Sequence, residues 1–191
     1  MIAGHFGFAA LVKSKERSTP LWLLMFSSVW LDIVFVPLFV AGIETLQPLA
    51  NHRQYGGSLI HADFTHSMAG ALLLSAVLGA VCWPFWGKRS ALVIGLVAVS
   101  HWALDLLVHR PDLPILPANV LNLPKLGLGL WQYPFLSAGL ELILVLTGAW
   151  FYWRAARSVS ASAGGAFALA KTSAILLGAF GILVLAMDLN S

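Results

Sequence analysis

The chain has 191 residues, of which 59% are hydrophobic and only 10% are charged, and its mean hydropathy is +0.85. This composition is that of an integral membrane protein and excludes an ordinary soluble domain. The net charge of +3 does not indicate a nucleic-acid partner, because the basic residues cluster at the ends of apolar runs. The single cysteine, Cys82, excludes an intrachain disulfide and a Cys-based zinc site.

The first element is an apolar N-terminal segment, residues 1–12, which as a helix is only about 18 Å long and too short to cross a membrane. We interpret it as a re-entrant or interfacial half-helix that enters the bundle. Five apolar runs follow, and each reaches the length of about 20 residues that a spanning helix needs. They cover residues 20–43, 65–86, 90–109, 130–153 and 166–187.

The sequence therefore predicts an all-α fold, a polytopic membrane helical bundle of about five transmembrane helices plus the N-terminal half-helix. We expect a single transmembrane domain, residues 1–191, with outer loops at 44–64 and 110–129. His52 and Arg53 are interpreted as ordinary residues of the first loop. The run from Pro111 to Trp131 contains four prolines and is expected to cover the outer mouth of the bundle.

The basic residues predict the orientation. One side of the membrane holds the richer set and should be cytoplasmic, so that the C-terminus lies outside. That side carries Lys13, Lys15, Arg17, Lys88, Arg89, Arg154 and Arg157, whereas the opposite loops carry Arg53, Arg110 and Lys125.

Ionisable residues interrupt or flank the apolar runs at positions where lipid would otherwise be expected. A charge at membrane depth is costly without a partner, so these residues mark a functional interior. Imidazole and carboxylate together are typical of a divalent metal site or a proton relay. The residues are His5, Asp32, His66, His101, Asp105 and Glu141.

The strongest local pattern is His101, Asp105 and His109, which are spaced by four and so share one helix face. They could contribute metal ligands from adjacent turns, with His109 the weakest member. The alternative is an interhelical hydrogen-bond ladder without metal.

A second pattern, His61, Asp63 and His66, lies at the outer entrance to the second spanning run. These side chains could reach one ion, although Asp63 could instead cap the helix while His61 is merely solvated. Asp32 has no cation nearby in sequence, which favours a metal as its partner. Glu141 is similar, but a neutral, hydrogen-bonded carboxyl is a stronger alternative there.

Taken in order, several motifs resemble a family of bacterial inner-membrane metal-dependent hydrolases. They are Gly4-His5-Phe6, Leu31-Asp32-Ile33, the run His61 to Ser67, and Ser100-His101 followed by Leu104-Asp105 and Pro114 to Pro117. The resemblance implies a polytopic bacterial protein with a metal site. The chain departs from the family by reading Asp32-Ile33-Val34-Phe35 where an Asp-x-Asp-His cluster is common. The order of Asp and His residues is also similar to that of zinc-dependent phospholipase C enzymes.

The leading hypothesis is a membrane-embedded metal-dependent hydrolase acting on a lipid-like or membrane-associated substrate. A divalent metal, zinc in the first instance, would be held by His5, Asp32, His61, His66, His101 and Asp105, with Glu141 or Asp63 as general base. The alternatives are a transport or proton-conducting protein and a non-catalytic membrane subunit. The expected partners are membrane lipid and a small-molecule substrate, without nucleic acid, in a homo-oligomer or membrane complex.

Overall fold

The computed structural model describes residues 1–49, 57–160 and 166–190. The protein is 73% helical with 6% strand, which confirms the all-α class. The predicted loop residues His52 and Arg53 lie outside the described residues. Six helices are present in the described part: α1 (Ile2–Lys15), α2 (Leu21–Ser28), α3 (Trp30–Val40), α4 (Met68–Val108), α5 (Pro134–Ser160) and α6 (Ala166–Asn190).

Membrane association is supported by two helices that are long and apolar enough to cross a bilayer, α4 and the Pro134–Ser158 part of α5. A third candidate is formed by α2 and α3 together, which are bent by 48° at Val29. By helix length and composition the described residues give two to three spans, so the expected count of five is not supported on this measure.

The difference in count arises partly at Gly87, which interrupts α4. Gly87 has a φ of 76° and a ψ of 165°, a conformation that glycine adopts without the strain of a Cβ. Beyond it the helix turns back on itself: a Cβ on Gly79 would lie 2.9 Å from the Ala91 carbonyl oxygen, and a Cβ on Gly95 would lie 3.3 Å from that of Ser75. The predicted runs 65–86 and 90–109 thus form the two antiparallel halves of one continuous element.

The N-terminal helix α1 lies inside the bundle, against α5, α2 and α6. Its backbone touches that of α5 directly, because a Cβ on Gly148 would lie only 2.0 Å from the Gly7 carbonyl oxygen. A Cβ on Gly7 would lie 2.5 Å from the Leu144 carbonyl carbon. This close crossing, possible only without side chains, holds His5 at a buried position.

Residues 44–64, the first predicted outer loop, contain a two-stranded antiparallel ribbon. Strand β1 (Thr45–Pro48) pairs with β2 (Ser58–His61), with Thr45 opposite His61. The hydrogen bonds between the two strands satisfy backbone amide and carbonyl groups of this segment.

The segment after α4 is irregular, as expected, with short 3-10 turns at 117–119 and 130–132. It also caps α4, since the backbone amides of Met68 and Ala69 donate to the carbonyls of Pro114 and Ile115. Ser67 completes the cap by accepting the Gly70 amide, 3.0 Å away.

The opposite, basic end of the bundle is closed by apolar packing and one ion pair. Glu16 is 5% exposed and accepts a hydrogen bond from Arg89 at 3.0 Å, which ties the α1–α2 connection to the Gly87 turn. Between this end and the middle of the bundle lie two buried apolar clusters. Their buried members are Leu23, Leu78, Cys82, Ile94 and Ala98, and Ala9, Leu24 and Val97.

Candidate metal centre

Five of the side chains predicted from the sequence meet at one place in the bundle. They come from four separate parts of the chain: α1, α3, the turn before α4, and the second half of α4. They are His5, Asp32, His66, His101 and Asp105. Two overlapping triads within this group have ligand atoms within 4.8 Å of one another, one formed by His5, His101 and Asp105 and the other by Asp32, His66 and His101.

The centre of the group is a pair of imidazoles flanked by two carboxylates. The Nε2 atoms of His66 and His101 are 3.2 Å apart. Asp32 Oδ1 lies 3.5 Å from the first and 3.6 Å from the second. Asp105 Oδ2 lies 3.7 Å from His66 Nε2 and 3.1 Å from His101 Nε2. The four atoms therefore form two triangles that share the His66–His101 edge.

These separations match those expected around one metal ion. Ligand atoms about 2.0–2.1 Å from a tetrahedral zinc lie roughly 3.3–3.4 Å from each other. The five measured edges run from 3.1 to 3.7 Å. Each triangle of three ligand atoms, two imidazole nitrogens and one carboxylate oxygen, thus has the spacing of ligands around one divalent ion.

His101 is oriented by a break in the helix that faces it. Because α2 ends at Ser28, the Ser28 carbonyl lacks a helical amide partner and accepts a hydrogen bond from His101 Nδ1 at 2.7 Å. A proton on Nδ1 leaves the lone pair of the neutral ring on Nε2, facing the other ligands. The same break places Asp32 in the first turn of α3, where the helix dipole favours a negative charge.

His66 is oriented by a longer hydrogen-bond chain. Its Nδ1 lies 2.9 Å from Thr65 Oγ1, and that hydroxyl donates to the buried carboxylate of Glu44, 2.9 Å away. Since the hydroxyl proton goes to Glu44, the Thr65 oxygen accepts from His66 Nδ1–H. Glu44 is held in turn by the amides of Phe64 and Thr65, both at 2.8 Å. The His66 lone pair is thereby directed towards His101.

A third imidazole, His109, approaches the cluster from the loop side. Its Nδ1 lies 2.9 Å from Asp112 Oδ1, and its Nε2 lies 3.8 Å from Asp105 Oδ2. The Asp112 carboxylate also accepts the Ile60 amide from strand β2, at 3.2 Å. Trp131 packs on the His109 ring with centroids 4.3 Å apart. His109 is therefore fixed with Nε2 facing inward.

The cluster borders a cavity of about 220 Å³ on the loop side of the bundle. Asp32 provides the open edge, since its side chain is 38% exposed whereas that of Asp105 is 5% exposed. The cavity combines the polar cluster with an apolar rim. That rim is formed by Met1, Ile2, Phe35, Leu46, Ile60 and Trp131.

Three of the predicted site residues lie elsewhere. His61 is in strand β2, with its Nε2 3.4 Å from Gln47 Oε1. Asp63 forms an ion pair with Lys125 at 2.9 Å. Glu141, on α5, is buried and accepts the Gly4 amide at 3.0 Å. By these contacts, His61 belongs to the β1–β2 ribbon, Asp63 pairs with the segment after α4, and Glu141 takes part in the packing of α1 on α5.

Sequence reasoning underestimated His109 and missed the groups that orient the histidines: Ser28, Glu44, Thr65 and Asp112. The spacing of four from Asp105 identified the face that His109 shares, but not the partner that holds it. Glu44 carried a usable signal, because an acidic residue directly after a spanning run needs a donor.

No family model, curated protein or solved structure matches the chain. The geometry of the cluster and its surroundings is therefore the basis for the function proposed below.

Proposed function

We propose that the protein is a membrane-embedded metal-dependent hydrolase that acts on a lipid-like or membrane-associated substrate. The observation that carries the proposal is the 3.2 Å separation of two Nε2 atoms, in His66 and His101, whose Nδ1 atoms are both engaged with oxygen acceptors.

Two such lone pairs repel each other unless a positive charge lies between them. The carboxylates of Asp32 and Asp105 add negative charge to the same small volume. The Asp105 side chain is almost fully buried. Buried charges of one sign are costly without a counter-charge. A divalent cation would supply that counter-charge and would satisfy the three ligand atoms of a triad.

The donor set also indicates which ions suit the site. Imidazole nitrogen together with carboxylate oxygen binds zinc, manganese or ferrous iron, and a small coordination number favours zinc. If held there by His66, His101 and a carboxylate, such an ion would supply Lewis acidity and would lower the pKa of a water molecule towards neutral pH. The steps around it depend on protein groups that position the substrate and move protons.

His109 is the best placed general base. It lines the cavity, and its Nε2 lies 3.8 Å from Asp105 Oδ2. Its Nδ1 donates to Asp112 Oδ1, 2.9 Å away. A neutral imidazole oriented in this way accepts a proton from water at Nε2. Glu141 and Asp63, proposed from sequence for this role, are engaged with the Gly4 amide and with Lys125. We therefore assign proton transfer to His109.

The substrate class is inferred from the cavity. Its apolar rim, with Phe35 and Trp131 on two sides, suits a hydrocarbon chain, while the cluster beyond it suits a polar, hydrolysable group. A phosphoester or amide within a lipid-like molecule has both parts.

Transport is the main alternative, and the packing on the basic side argues against it. The hydrogen-bond chains that start at the cluster run towards the loop side, through Thr65 and Glu44 and through Asp112. Towards the basic side, among the described residues, lie the two apolar clusters that include Leu24, Ile94 and Val97. An ion pathway needs polar groups or water on both sides of its site, so catalysis fits this arrangement better.

The proposal includes the membrane topology. Five crossings result when the α2–α3 pair, each half of α4, α5 and α6 are each counted as one. Helix α1 is buried among them. With the basic turns in the cytoplasm, the cavity opens outward and the C-terminus lies outside. From the motif resemblance, the proposal adds that the protein is a bacterial inner-membrane protein of the metal-dependent hydrolase type.

The test is metal content by mass spectrometry on protein purified in detergent without chelator. The chain should carry close to one zinc, manganese or iron ion, and a His101→Ala, Asp105→Ala double variant that still folds should carry none. A matched double variant outside the cluster, His61→Ala with Asp63→Asn, should keep its metal. Absence of metal from the unaltered chain, or equal loss in both double variants, would refute the proposal.

A further inference from the structure

We propose that the groove between the two halves of α4 binds one anionic phospholipid, with its phosphate at Lys88 and an acyl chain along the groove. The inference concerns a surface remote from the metal cluster and does not depend on the proposed hydrolase activity. It combines the shape, the lining and the charge of the groove.

The groove is apolar and deep. Its volume is about 510 Å³, with small residues such as Gly79, Ala80 and Gly95 along the floor and large ones at the edges. Leu72, Leu92 and Trp83 are each more than half exposed at those edges. A hydrocarbon chain placed here would cover apolar surface that no other described part of the protein covers.

The floor of the groove favours a lipid chain over a partner helix. The groove runs alongside Leu72 to Trp83, a length of about 16 Å at the helical rise, which an extended acyl chain can follow. The small residues that would let a second helix approach closely are already engaged, since Gly79 and Gly95 pack against the opposite half of α4.

The charge at one end supplies the headgroup contact. Lys88 lines the groove next to the Gly87 turn and is exposed, and it has no ion-pair or hydrogen-bond partner among the residues described. The neighbouring Arg89 is engaged by Glu16 instead. Lysine and tryptophan at the end of an apolar surface are the usual anchors at headgroup level, and Trp83 stands beside this lysine.

A second groove on the same side repeats the design. It lies between α5 and α6, has a volume of about 280 Å³, and is lined by Trp150, Trp153 and Lys171. Two separate surfaces that each combine an apolar channel, tryptophan and an exposed lysine indicate a common ligand. An anionic lipid of the cytoplasmic leaflet has the matching charge and chain.

The experiment is native mass spectrometry of the protein from nanodiscs of equal parts phosphatidylglycerol and phosphatidylcholine. Retained lipid should be mainly phosphatidylglycerol. Lys88→Gln should lower its retention about fivefold, the effect expected for one lysine at the membrane surface. Ala80→Phe, which fills the groove from an exposed position, should lower retention of any lipid there. Lys15→Gln, which removes an exposed charge away from the groove, is the matched control and should have no effect.

Equal retention of the two lipids, or equal loss in Lys88→Gln and Lys15→Gln, would overturn the proposal. A dimer that Ala80→Phe disrupts would also overturn it and would assign the groove to a second copy of the chain. Because the readout is bound lipid, its failure is distinguishable from failure of the metal site.

Discussion

His5 and His101 stack face to face, with ring centroids 3.8 Å apart and ring planes 15° apart. The stack divides the Asp105 carboxylate between them, since Oδ1 lies 3.2 Å from His5 Nε2 and Oδ2 lies 3.1 Å from His101 Nε2. Of the two rings, that of His101 is the one whose Nε2 also faces His66. In the proposed metal centre, His5 therefore acts on Asp105, as a donor that orients it, rather than as a fifth equivalent ligand.

The first prediction separates these two roles. His101→Ala should abolish metal binding, whereas His5→Ala should weaken it by about 10–100-fold, the usual cost of losing a group that orients a ligand. Competition with a chromophoric chelator measures both affinities. Equal and complete loss in the two variants would show that His5 is itself a ligand.

The second prediction concerns the hydroxyl between His66 and Glu44. Thr65→Val keeps the shape of the side chain but removes the group that accepts from His66 Nδ1. Metal affinity should fall by about 10–100-fold, because the imidazole is no longer held in one tautomer. Thr147→Val is the control, since that hydroxyl bonds only to carbonyls of its own helix. The same affinity in both variants would contradict the role of Thr65.

The third prediction concerns His109. His109→Ala should keep its metal but lose about 10²–10⁴-fold in the rate of hydrolysis, the usual contribution of a general base. A panel of fluorogenic ester, amide and phosphoester lipids measures the rate, and elemental analysis measures the metal. Asp63→Asn should be unaffected in both. Unchanged turnover in His109→Ala would assign the base elsewhere.

The fourth prediction concerns the contact between α1 and α5. Gly7→Ala should destabilise the protein by about 1–3 kcal/mol, because the new methyl group meets the Leu144 backbone, which cannot move aside easily. Metal affinity should fall as well, since α1 carries His5. Gly139→Ala is the control on α5: nothing described lies within 4 Å of its Cβ, so stability should be unchanged or slightly higher. Thermal unfolding in detergent measures both, and equal effects would contradict the close crossing.

The fifth prediction concerns pH. Glu16 accepts one hydrogen bond from the Ser18 hydroxyl and another from the Ser18 amide. These bonds, the hydroxyl's most of all, lower the pKa of the Glu16 carboxyl below its ordinary value of 4.5, and Arg89 adds to the effect. A group whose pKa is lower when folded stabilises the protein above the unfolded value. That stability is lost as the pH falls through the folded value.

The unfolding temperature should therefore fall as the pH is lowered below about 4.5. Glu16→Gln should be less stable than the unaltered chain at pH 6, and the difference should shrink towards pH 3. A difference that is constant over this range would show that ionisation of Glu16 does not contribute to the stability of the fold.

The composition and the apolar runs predicted the helical class, and the cost of charge at membrane depth identified the residues that meet. His101 and Asp105 could be paired from the sequence because residues four apart lie on the same face of a helix. Asp32 and His66 could be identified from the sequence because an ionisable group within or at the end of an apolar run needs a partner.

The remaining features depend on packing that sequence spacing does not encode. Nothing in the residues around Ser28 predicts that its carbonyl will face His101, because the break at Val29 is a tertiary effect. His61 and Asp63 were assigned to the site by proximity in sequence to His66, but the ribbon turns His61 towards Gln47. Glu141 has the depth expected of a ligand, but it faces α1.

In the proposed orientation, the two buried apolar clusters would make the supply of metal from the two sides of the membrane unequal. Leu24, Ile94 and Val97 would separate the ligands from the cytoplasm, where the chain is synthesised. The cavity beside Asp32 lies on the loop side of the cluster. A metal ion would then enter after the helices have inserted, from the side away from the cytoplasm. A membrane-impermeant chelator should consequently strip the protein from one face only.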